Sequence, residues 1–249
     1  MTTEEDATID PIHSGAWRIG KNLKKGVSRD MTTKNTILRA LCLLFLQVTV
    51  PAYASEILLD DYRNGLSPKW EEKSFMGKTR YQVERVNHEW CIRADSQSSA
   101  SALYFKIRYD LKTYPILRWK WKIKHIISTG NALHKETDDY SARIYVVFPS
   151  ILFWRTRAIN YIWANRLPVD QWAPNTYTSN AVMIAVESGS SRAGEWREET
   201  RDVLKDYRAV FGQDPPEAGA VAIMTDTDDT GETATAWYGP IRLLPAMVH

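Results

Sequence analysis

The chain has 249 residues, with 32 Lys and Arg against 30 Asp and Glu. The first 54 residues hold seven of those cations and five of those carboxylates, so residues 55–249 have 25 of each and a formal net charge of zero. This balance argues against nucleic acid as a partner. Cys91 is the single cysteine after residue 54, so that part of the chain forms no intramolecular disulfide.

Residues 31–54 have the pattern of a secretory signal peptide. A short basic start precedes an apolar run, and Ala52-Tyr53-Ala54 is an A-x-A cleavage signal ahead of Ser55. The run has about a dozen residues, fewer than the ~20 that span a bilayer, so we predict no stable membrane span after cleavage between Ala54 and Ser55. We interpret residues 1–30 as a translation-start artefact or a disordered segment. The predicted location is the periplasm or the medium outside the cell.

Residues 55–249 are long enough for a single domain with a hydrophobic core. Side chains of alternating character dominate this part, as in Leu117–Ile123, where apolar residues alternate with basic ones. Turn-forming clusters separate the candidate strands. These are Glu56–Asp61, Thr79–Val86, Trp90–Ala94, Ala100–Ile107, Leu117–Ile123, 139–148, Ala158–Ala164, Ala181–Glu187, Ala220–Thr225 and Thr235–Leu243.

One segment has helical periodicity instead. Apolar residues from Trp196 to Phe211 follow the 3.6-residue repeat, which predicts an amphipathic helix near residues 195–211. Gly212 then suits the position just past a helix end. Roughly ten strands and one helix predict a mainly β fold, an antiparallel β-sandwich of jelly-roll type with this helix inserted.

The loop that begins at Asp226 has alternating oxygen-bearing side chains. Asp226, Asp228 and Thr230 could converge on a hard cation, which predicts a structural Ca²⁺ site, although the bidentate Glu of an EF-hand is missing. A distant carboxylate, with Asp139 and Asp60 as candidates, would then complete the ligand set. The alternative is a solvated turn rich in Asp, Gly and Thr.

A second polar group is predicted on a strand. The spacing of Asp139, Arg143 and Tyr145 puts them on one strand face, where they could orient a polar ligand by directional hydrogen bonds. Tyr161 and Trp163 share a face of the next strand and could form an aromatic wall beside them. The alternative is an ordinary ion pair on a wet sheet face.

Motifs for nucleophilic catalysis and zinc binding are absent from the sequence, and no catalytic residue is assigned. Paired carboxylates still leave a glycan-processing hydrolase open, with Glu199 and Asp206 as further candidates beside Asp139, Asp226 and Asp228.

Five motifs together resemble an uncharacterised, exported bacterial family of unknown function. They are Leu117-x-Trp119-x-Trp121, Asp139-x-x-Ala142-Arg143-x-Tyr145-x-x-Phe148, Ile159-x-Tyr161-x-Trp163, Glu199-x-Arg201-x-Val203-x-x-Asp206-Tyr207 with Phe211-Gly212, and Thr225-Asp226-x-Asp228. The resemblance spans residues 57–244 and implies an exported, globular, β-rich domain. It implies no activity or substrate.

The leading functional hypothesis is an exported, non-catalytic β-sandwich that binds a polar ligand, a glycan or a component of the cell envelope. The alternatives are the carboxylate-based hydrolase and a structural or assembly protein of the envelope. The sequence does not specify an oligomeric state.

Overall fold

The computed structural model describes residues 54–246. The predicted segments 1–30 and 31–54 therefore lie outside the described residues, except for Ala54. No helix within residues 54–246 combines the length and the apolar character needed to cross a membrane.

The described chain contains fourteen strands, one α-helix and two short 3₁₀ turns. In chain order the elements are β1 (Ile57–Asp60), β2 (Trp70–Met76), β3 (Arg80–Val86), β4 (Glu89–Gln97), β5 (Ala100–Tyr109), β6 (Ile116–Ile123), β7 (Arg143–Phe148), β8 (Arg157–Ala164), β9 (Trp172–Pro174), β10 (Ala181–Ser188), β11 (Arg197–Asp202), α1 (Val203–Phe211), β12 (Ala218–Asp226), β13 (Thr233–Tyr238) and β14 (Ile241–Leu244). The 3₁₀ turns are Lys135–Thr137 and Phe153–Arg155.

The strands form two seven-stranded sheets. The first has the order β1-β14-β6-β13-β4-β3, and β11 pairs with the other edge of β6. The second has the order β2-β5-β12-β7-β8-β10-β9. Most pairs are antiparallel, and β8 and β10 run parallel. The predicted mainly β sandwich with one helix is thus confirmed.

The core lies between the sheets, where aromatic side chains of β6 meet those of β8. The ring centroids of Trp119 and Tyr161 are 5.3 Å apart, and those of Trp121 and Trp163 are 5.9 Å apart. The alternation in β6 explains this packing, because it sends every second residue inward while the basic residues between them stay partly exposed.

The predicted helix exists but is shorter than expected. The residues Arg197–Asp202 form β11, which pairs antiparallel with β6, and the helix begins only at Val203. The side chain of Asp202 accepts the Lys205 backbone N–H at 3.0 Å, which caps the helix, and Gly212 ends it in the left-handed conformation. Pairing with β6 therefore overrides the apolar periodicity that had suggested a longer helix.

The outer face of the second sheet positions the candidate site. Small side chains cover much of β5 and β12 on this face, including Ala100, Ala102 and Ala220. Because these side chains are short, they leave space above β5 and β12. Larger side chains of neighbouring strands and loops surround that space. The result is a concave surface rather than a filled one.

Candidate ligand-binding site on the second sheet

An open groove of about 1150 Å³ runs over the outer face of the second sheet. Tyr104 of β5 and Tyr145 of β7 contribute partly buried phenol rings to it. The loop between β7 and β8 supplies Phe153 and Trp154, which are 79% and 59% exposed. Aromatic side chains on several sides make the groove suitable for a flat, partly apolar ligand.

The aromatic loop is anchored at its base. Asn180 donates its side-chain N–H to the Trp154 carbonyl at 2.6 Å, and the rings of Phe153 and Trp154 meet edge to face with centroids 5.1 Å apart. Charged residues flank the groove on the opposite side. They are Glu71, Glu72, Lys73, Lys106 and Arg108.

A second, more polar pocket of about 480 Å³ adjoins the groove. The two cavities share Tyr145, Thr178 and Ala181, so they lie side by side on the same face of the sheet. The polar side chains of the second pocket are Asp138, Arg143, Tyr145, Asn160, Asn175, Tyr177, Thr178, Asp226, Asp228 and Asp229.

Arg143 and Asp226 lie at the base of this pocket as a buried ion pair. Arg143 is 6% and Asp226 is 2% exposed, and the guanidinium contacts the carboxylate directly. The Tyr140 and Tyr145 rings flank the guanidinium, with centroids 5.2 and 5.4 Å away. Burial raises the pKa of Asp226 well above its usual value, and the Arg143 charge opposes that shift.

Three carboxylates converge beside this pair. Oxygen atoms of Asp139, Asp226 and Asp228 all lie within 4.8 Å of one another. Asp139 is fully buried and accepts the backbone N–H groups of Thr230 at 2.6 Å and Asp229 at 3.4 Å. These bonds hold the acidic loop after β12 against the segment that precedes β7.

Several buried polar atoms around the pocket have no partner within the described residues. They are the Nε of Arg143, both side-chain polar atoms of Asn160, and the Oδ1 of Asp226. Buried polar atoms are normally hydrogen-bonded, because leaving one unpaired costs about 1–3 kcal/mol. Their grouping around one cavity makes this pocket the candidate site for a polar ligand.

The predicted ligand-binding residues separate into two groups. Arg143 and Tyr145 line the polar pocket, and Asp139 lies buried beside it, near Asp226 and Asp228. The partner of Arg143 is Asp226 rather than Asp139. The predicted acidic loop is part of the same cluster. Asp226 and Asp228 contribute carboxylates, while the backbone of Thr230 binds Asp139.

The expected aromatic wall of Tyr161 and Trp163 is wrong. Both side chains are fully buried between the sheets, where Tyr161 donates to Asp206 at 2.8 Å and Trp163 donates to the Gly189 carbonyl at 3.0 Å. Strand β8 is covered on both faces, so alternation along it does not distinguish the core face from the ligand face. Phe153 and Trp154 supply the exposed rings instead.

The remaining carboxylate candidates lie elsewhere. Asp206 on α1 binds Arg201 and Tyr161, and Glu199 on β11 accepts the Trp121 indole N–H at 3.4 Å. Asp60 accepts the Trp70 indole N–H at 3.0 Å. None of these three residues lines the groove or the polar pocket.

Sequence reasoning missed Asp138, Asn160 and Asn175. The Asp138 carboxylate accepts hydrogen bonds from Tyr140 at 2.6 Å and Asn175 at 2.7 Å. Asn160 carries one usable signal, since it is a polar residue inside the otherwise apolar run 159–164. Asn175 lies in a loop that is distant in sequence from Asp138 and Asn160. It reaches the pocket because of the strand order of the second sheet, which the sequence does not predict.

A family model described as a protein of unknown function, DUF3047, matches residues 68–242. The chain belongs to the DUF3047 family. The match includes every strand from β2 to β13, and with them all the residues of the groove and the polar pocket. This agrees with the resemblance to a family of unknown function that the sequence motifs indicated. A comparison with curated proteins gave no match.

Solved structures similar to this DUF3047 protein are β-rich but distant. The carbohydrate-binding module CBM27-1 of Caldicellulosiruptor saccharolyticus, in complex with mannohexaose, has a TM-score of 0.40 at 9% identity over 78% of this chain and 100% of its own. A cleaved adhesin domain of Lys-gingipain from Porphyromonas gingivalis has a TM-score of 0.39 at 12% identity, over 78% of this chain and 100% of its own. The xyloglucanase domain of the Sinorhizobium fredii effector NopAA, in complex with cellobiose, has a TM-score of 0.39 at 9% identity, over 71% and 94%. Likeness at this level identifies no function.

Proposed function

We propose that this DUF3047 protein is exported and binds a neutral or weakly charged glycan, without catalysis, on the outer face of its second sheet. The observation that carries the proposal is the aromatic groove of about 1150 Å³ beside a polar pocket, with Tyr145, Thr178 and Ala181 lining both. A glycan needs both features, since its rings present apolar faces and its edges carry hydroxyl groups.

The groove supplies contact area for sugar rings. Trp154 and Phe153 lie on one side, and Tyr104 and Tyr145 lie on the sheet surface. Aromatic side chains combine a large apolar face with little conformational freedom, so they bind flat ligands at a low entropic cost. An open groove also accepts a chain that continues beyond the contact, as an oligosaccharide does.

The polar pocket supplies directional groups for hydroxyls. The unpaired amide of Asn160 offers both a donor and an acceptor, and the unpaired Nε–H of Arg143 offers a donor. Asp138, Asp226, Asp228 and Asp229 also line the pocket and repel acidic sugars. We therefore expect neutral glycans to bind in preference to uronic acids or sialic acids.

The binding test uses purified residues 55–249 on a glycan array, followed by calorimetric titration of the strongest neutral oligosaccharide. Trp154→Ala is expected to weaken its binding about tenfold or more, because an exposed ring in the contact is lost (~1.4 kcal/mol). Trp172→Ala is the matched control. Trp172 is 48% exposed on the edge strand β9 and lines neither cavity, so binding is expected to stay unchanged.

The binding proposal fails if the two tryptophan variants behave alike. It also fails if no class of glycan on the array is retained by the unaltered protein at micromolar to millimolar concentrations.

A hydrolase is the second candidate, and the convergence of carboxylates favours it. Burial raises the pKa values of both Asp226 and Asp228, and nearby Asp139 adds to each shift. A carboxyl that keeps its proton at higher pH can serve as a general acid. Incubating the bound oligosaccharide with the protein and measuring released reducing ends distinguishes the candidates, since a binding protein releases none. Turnover that Asp228→Asn abolishes would replace the binding proposal with the enzymatic one.

Export is part of the proposal and has its own test. The basic start, the short apolar run and the A-x-A signal support cleavage between Ala54 and Ser55. Intact-mass analysis of protein from the periplasmic and extracellular fractions is expected to give Ser55 as the first residue. Full-length protein retained in the cytoplasm would contradict export.

A further inference from the structure

We propose that Asp139, Asp226 and Asp228 form a binding site for a divalent cation, and that Ca²⁺ is the preferred ion. The site lies at the edge of the polar pocket, where the segment before β7 meets the loop after β12. The proposal does not depend on glycan binding, because the ligands are side chains of the protein alone.

The spacing of the three carboxylates fits one ion. Ca²⁺–oxygen distances are about 2.3–2.6 Å, so two ligands on opposite sides of the ion are about 5 Å apart. The oxygen atoms of Asp139, Asp226 and Asp228 lie within 4.8 Å of one another, inside that limit. They come from two separate chain segments that the Asp139–Thr230 hydrogen bond of 2.6 Å already joins.

An unpaired buried acceptor is the independent observation. Asp226 is 2% exposed, and Arg143 contacts only its Oδ2, which leaves Oδ1 without a partner in the described residues. Asn160, 1% exposed, lines the same pocket with its Oδ1 also unpaired. A buried carboxylate oxygen needs a donor or a cation. A cation held by all three aspartates meets that need.

The local charge also favours a cation. Asp138, Asp226, Asp228 and Asp229 line the polar pocket, and Arg143 is the single cationic residue among its lining residues. Fully buried Asp139 adds a further carboxylate beside them. One guanidinium leaves this group with an excess of negative charge in a partly desolvated place, where like charges repel strongly.

The ligand chemistry selects the type of ion. All three side chains offer oxygen, and neither His nor Cys lies in the cluster, so hard ions such as Ca²⁺ and Mg²⁺ are favoured over Zn²⁺ or Cu²⁺. Ca²⁺ tolerates irregular geometry and takes six to eight oxygens, whereas Mg²⁺ demands a near-ideal octahedron. Three carboxylates from different segments suit the more tolerant ion. Water fills its remaining positions.

The test uses EDTA-treated residues 55–249, with CaCl₂ as the probe and no glycan present. At free Ca²⁺ about 100 times the Kd, the melting temperature is expected to rise by about 5–10 °C, and MgCl₂ is expected to have a smaller effect. Calorimetry is expected to give one Ca²⁺ per chain, with a Kd of about 10⁻⁴–10⁻³ M, as in other extracellular modules.

Two asparagine variants locate the site. Asp228→Asn removes a ligand that is only partly buried, so the domain is expected to fold, with its melting temperature in EDTA unchanged and its response to Ca²⁺ lost. Asp229→Asn is the matched control. Asp229 lies in the same loop, its carboxylate accepts the Tyr177 hydroxyl at 2.6 Å, and it is not one of the three ligands, so this variant is expected to keep the response.

The outcomes that would overturn the cation site are specific. One is a wild-type protein that shows no thermal shift or heat of binding up to about 10 mM Ca²⁺, roughly ten times the Kd at the weak end of extracellular sites. The other is an equal loss of response in Asp228→Asn and Asp229→Asn. Equal losses would mean that loop charge in general attracts the ion. Failure of the glycan titration with Trp154→Ala has no bearing on either result.

Discussion

Glu199 lies on β11 opposite Trp119 of β6. Its carboxyl group is half-buried, which disfavours the ionised form. Burial and the nearby Glu187 raise the pKa of Glu199 from 4.5 to about 7. The folded protein therefore holds this proton more tightly than the unfolded chain does. The stabilisation from protonated Glu199 is fully present below pH 4.5 and is lost as the pH rises through about 7.

We expect Glu199→Gln to remove this contribution to the pH dependence. The variant should equal the wild type near pH 4 and have a free energy of unfolding about 1–2 kcal/mol higher at pH 8, after allowance for solvent screening of a half-buried group. Urea denaturation at a series of pH values measures the difference. Glu198→Gln, at an exposed position of the same strand, is the control. Parallel curves for wild type and Glu199→Gln at all pH values would contradict the assignment.

For single residues, the sequence predicts which side chains can bind a ligand better than it predicts the strand face on which they lie. The sequence predicts that Asp226 and Asp228 point to one place and leaves Asp139 and Asp60 open as the distant carboxylate. In the structure Asp139 lies beside them, and Asp60 binds Trp70 instead. Tyr161 and Trp163 could not be placed, since the residues that alternate with them are also buried. Long-range packing determines which face of β8 packs against the first sheet. The local alternation of residue types does not predict that face.

Among the elements, β11 and α1 show where two periodicities compete. The burial of Arg197–Asp202 alternates along much of its length, as expected for a strand beside β6. The apolar residues from Trp196 to Phe211 also fit a 3.6-residue repeat, which predicts a helix over the whole segment. The overlooked signal is Asp202, a helix-capping residue that marks where the strand ends and the helix begins.

The N-terminal cap of α1 by Asp202 gives a prediction about stability. Asp202→Ala removes the acceptor of the Lys205 N–H and is expected to lower the free energy of unfolding by about 0.5–2 kcal/mol. Asp214→Ala is the comparison, since it removes only an exposed ion pair with Arg208, which solvent screens, and it is expected to have the smaller effect. Guanidinium titrations of the three proteins measure both values. A larger loss in Asp214→Ala would show that Asp202 is not the stabilising cap.

Two edge strands were not predicted, for reasons of exposure and length. Six of the seven residues of β2 are exposed, so this strand lacks the alternation that marks a half-buried sheet. Strand β9 has only three residues. Both lie at the edges of the second sheet, where a strand pairs on one side only and the pattern of burial is weakest.

For the whole molecule, the sequence predicts the sandwich but not the groove. Regular alternation and turn residues are local and indicate many short strands. The groove and the polar pocket combine residues from Glu71 to Asp229, which meet only because the second sheet has the order β2-β5-β12-β7-β8-β10-β9. That order depends on long-range pairing, and no sequence motif specifies it.

Two tryptophans, one between the sheets and one on the groove wall, give the last prediction. Trp163 is fully buried against Trp121 with ring centroids 5.9 Å apart, so Trp163→Ala is expected to cost about 3–5 kcal/mol of unfolding free energy. Trp154 is 59% exposed in the groove wall, and Trp154→Ala is expected to cost less than about 0.5–1 kcal/mol while weakening glycan binding.

Chemical denaturation of both variants, beside calorimetric titration of Trp154→Ala, separates stability from binding. A ring between the sheets contributes through packing, and its removal leaves a cavity that the surrounding side chains fill only in part. A ring on the groove wall has solvent on one side, so its removal leaves no cavity. If Trp154→Ala destabilises the fold as much as Trp163→Ala does, the loop at 151–155 belongs to the core and the groove is not a ligand surface.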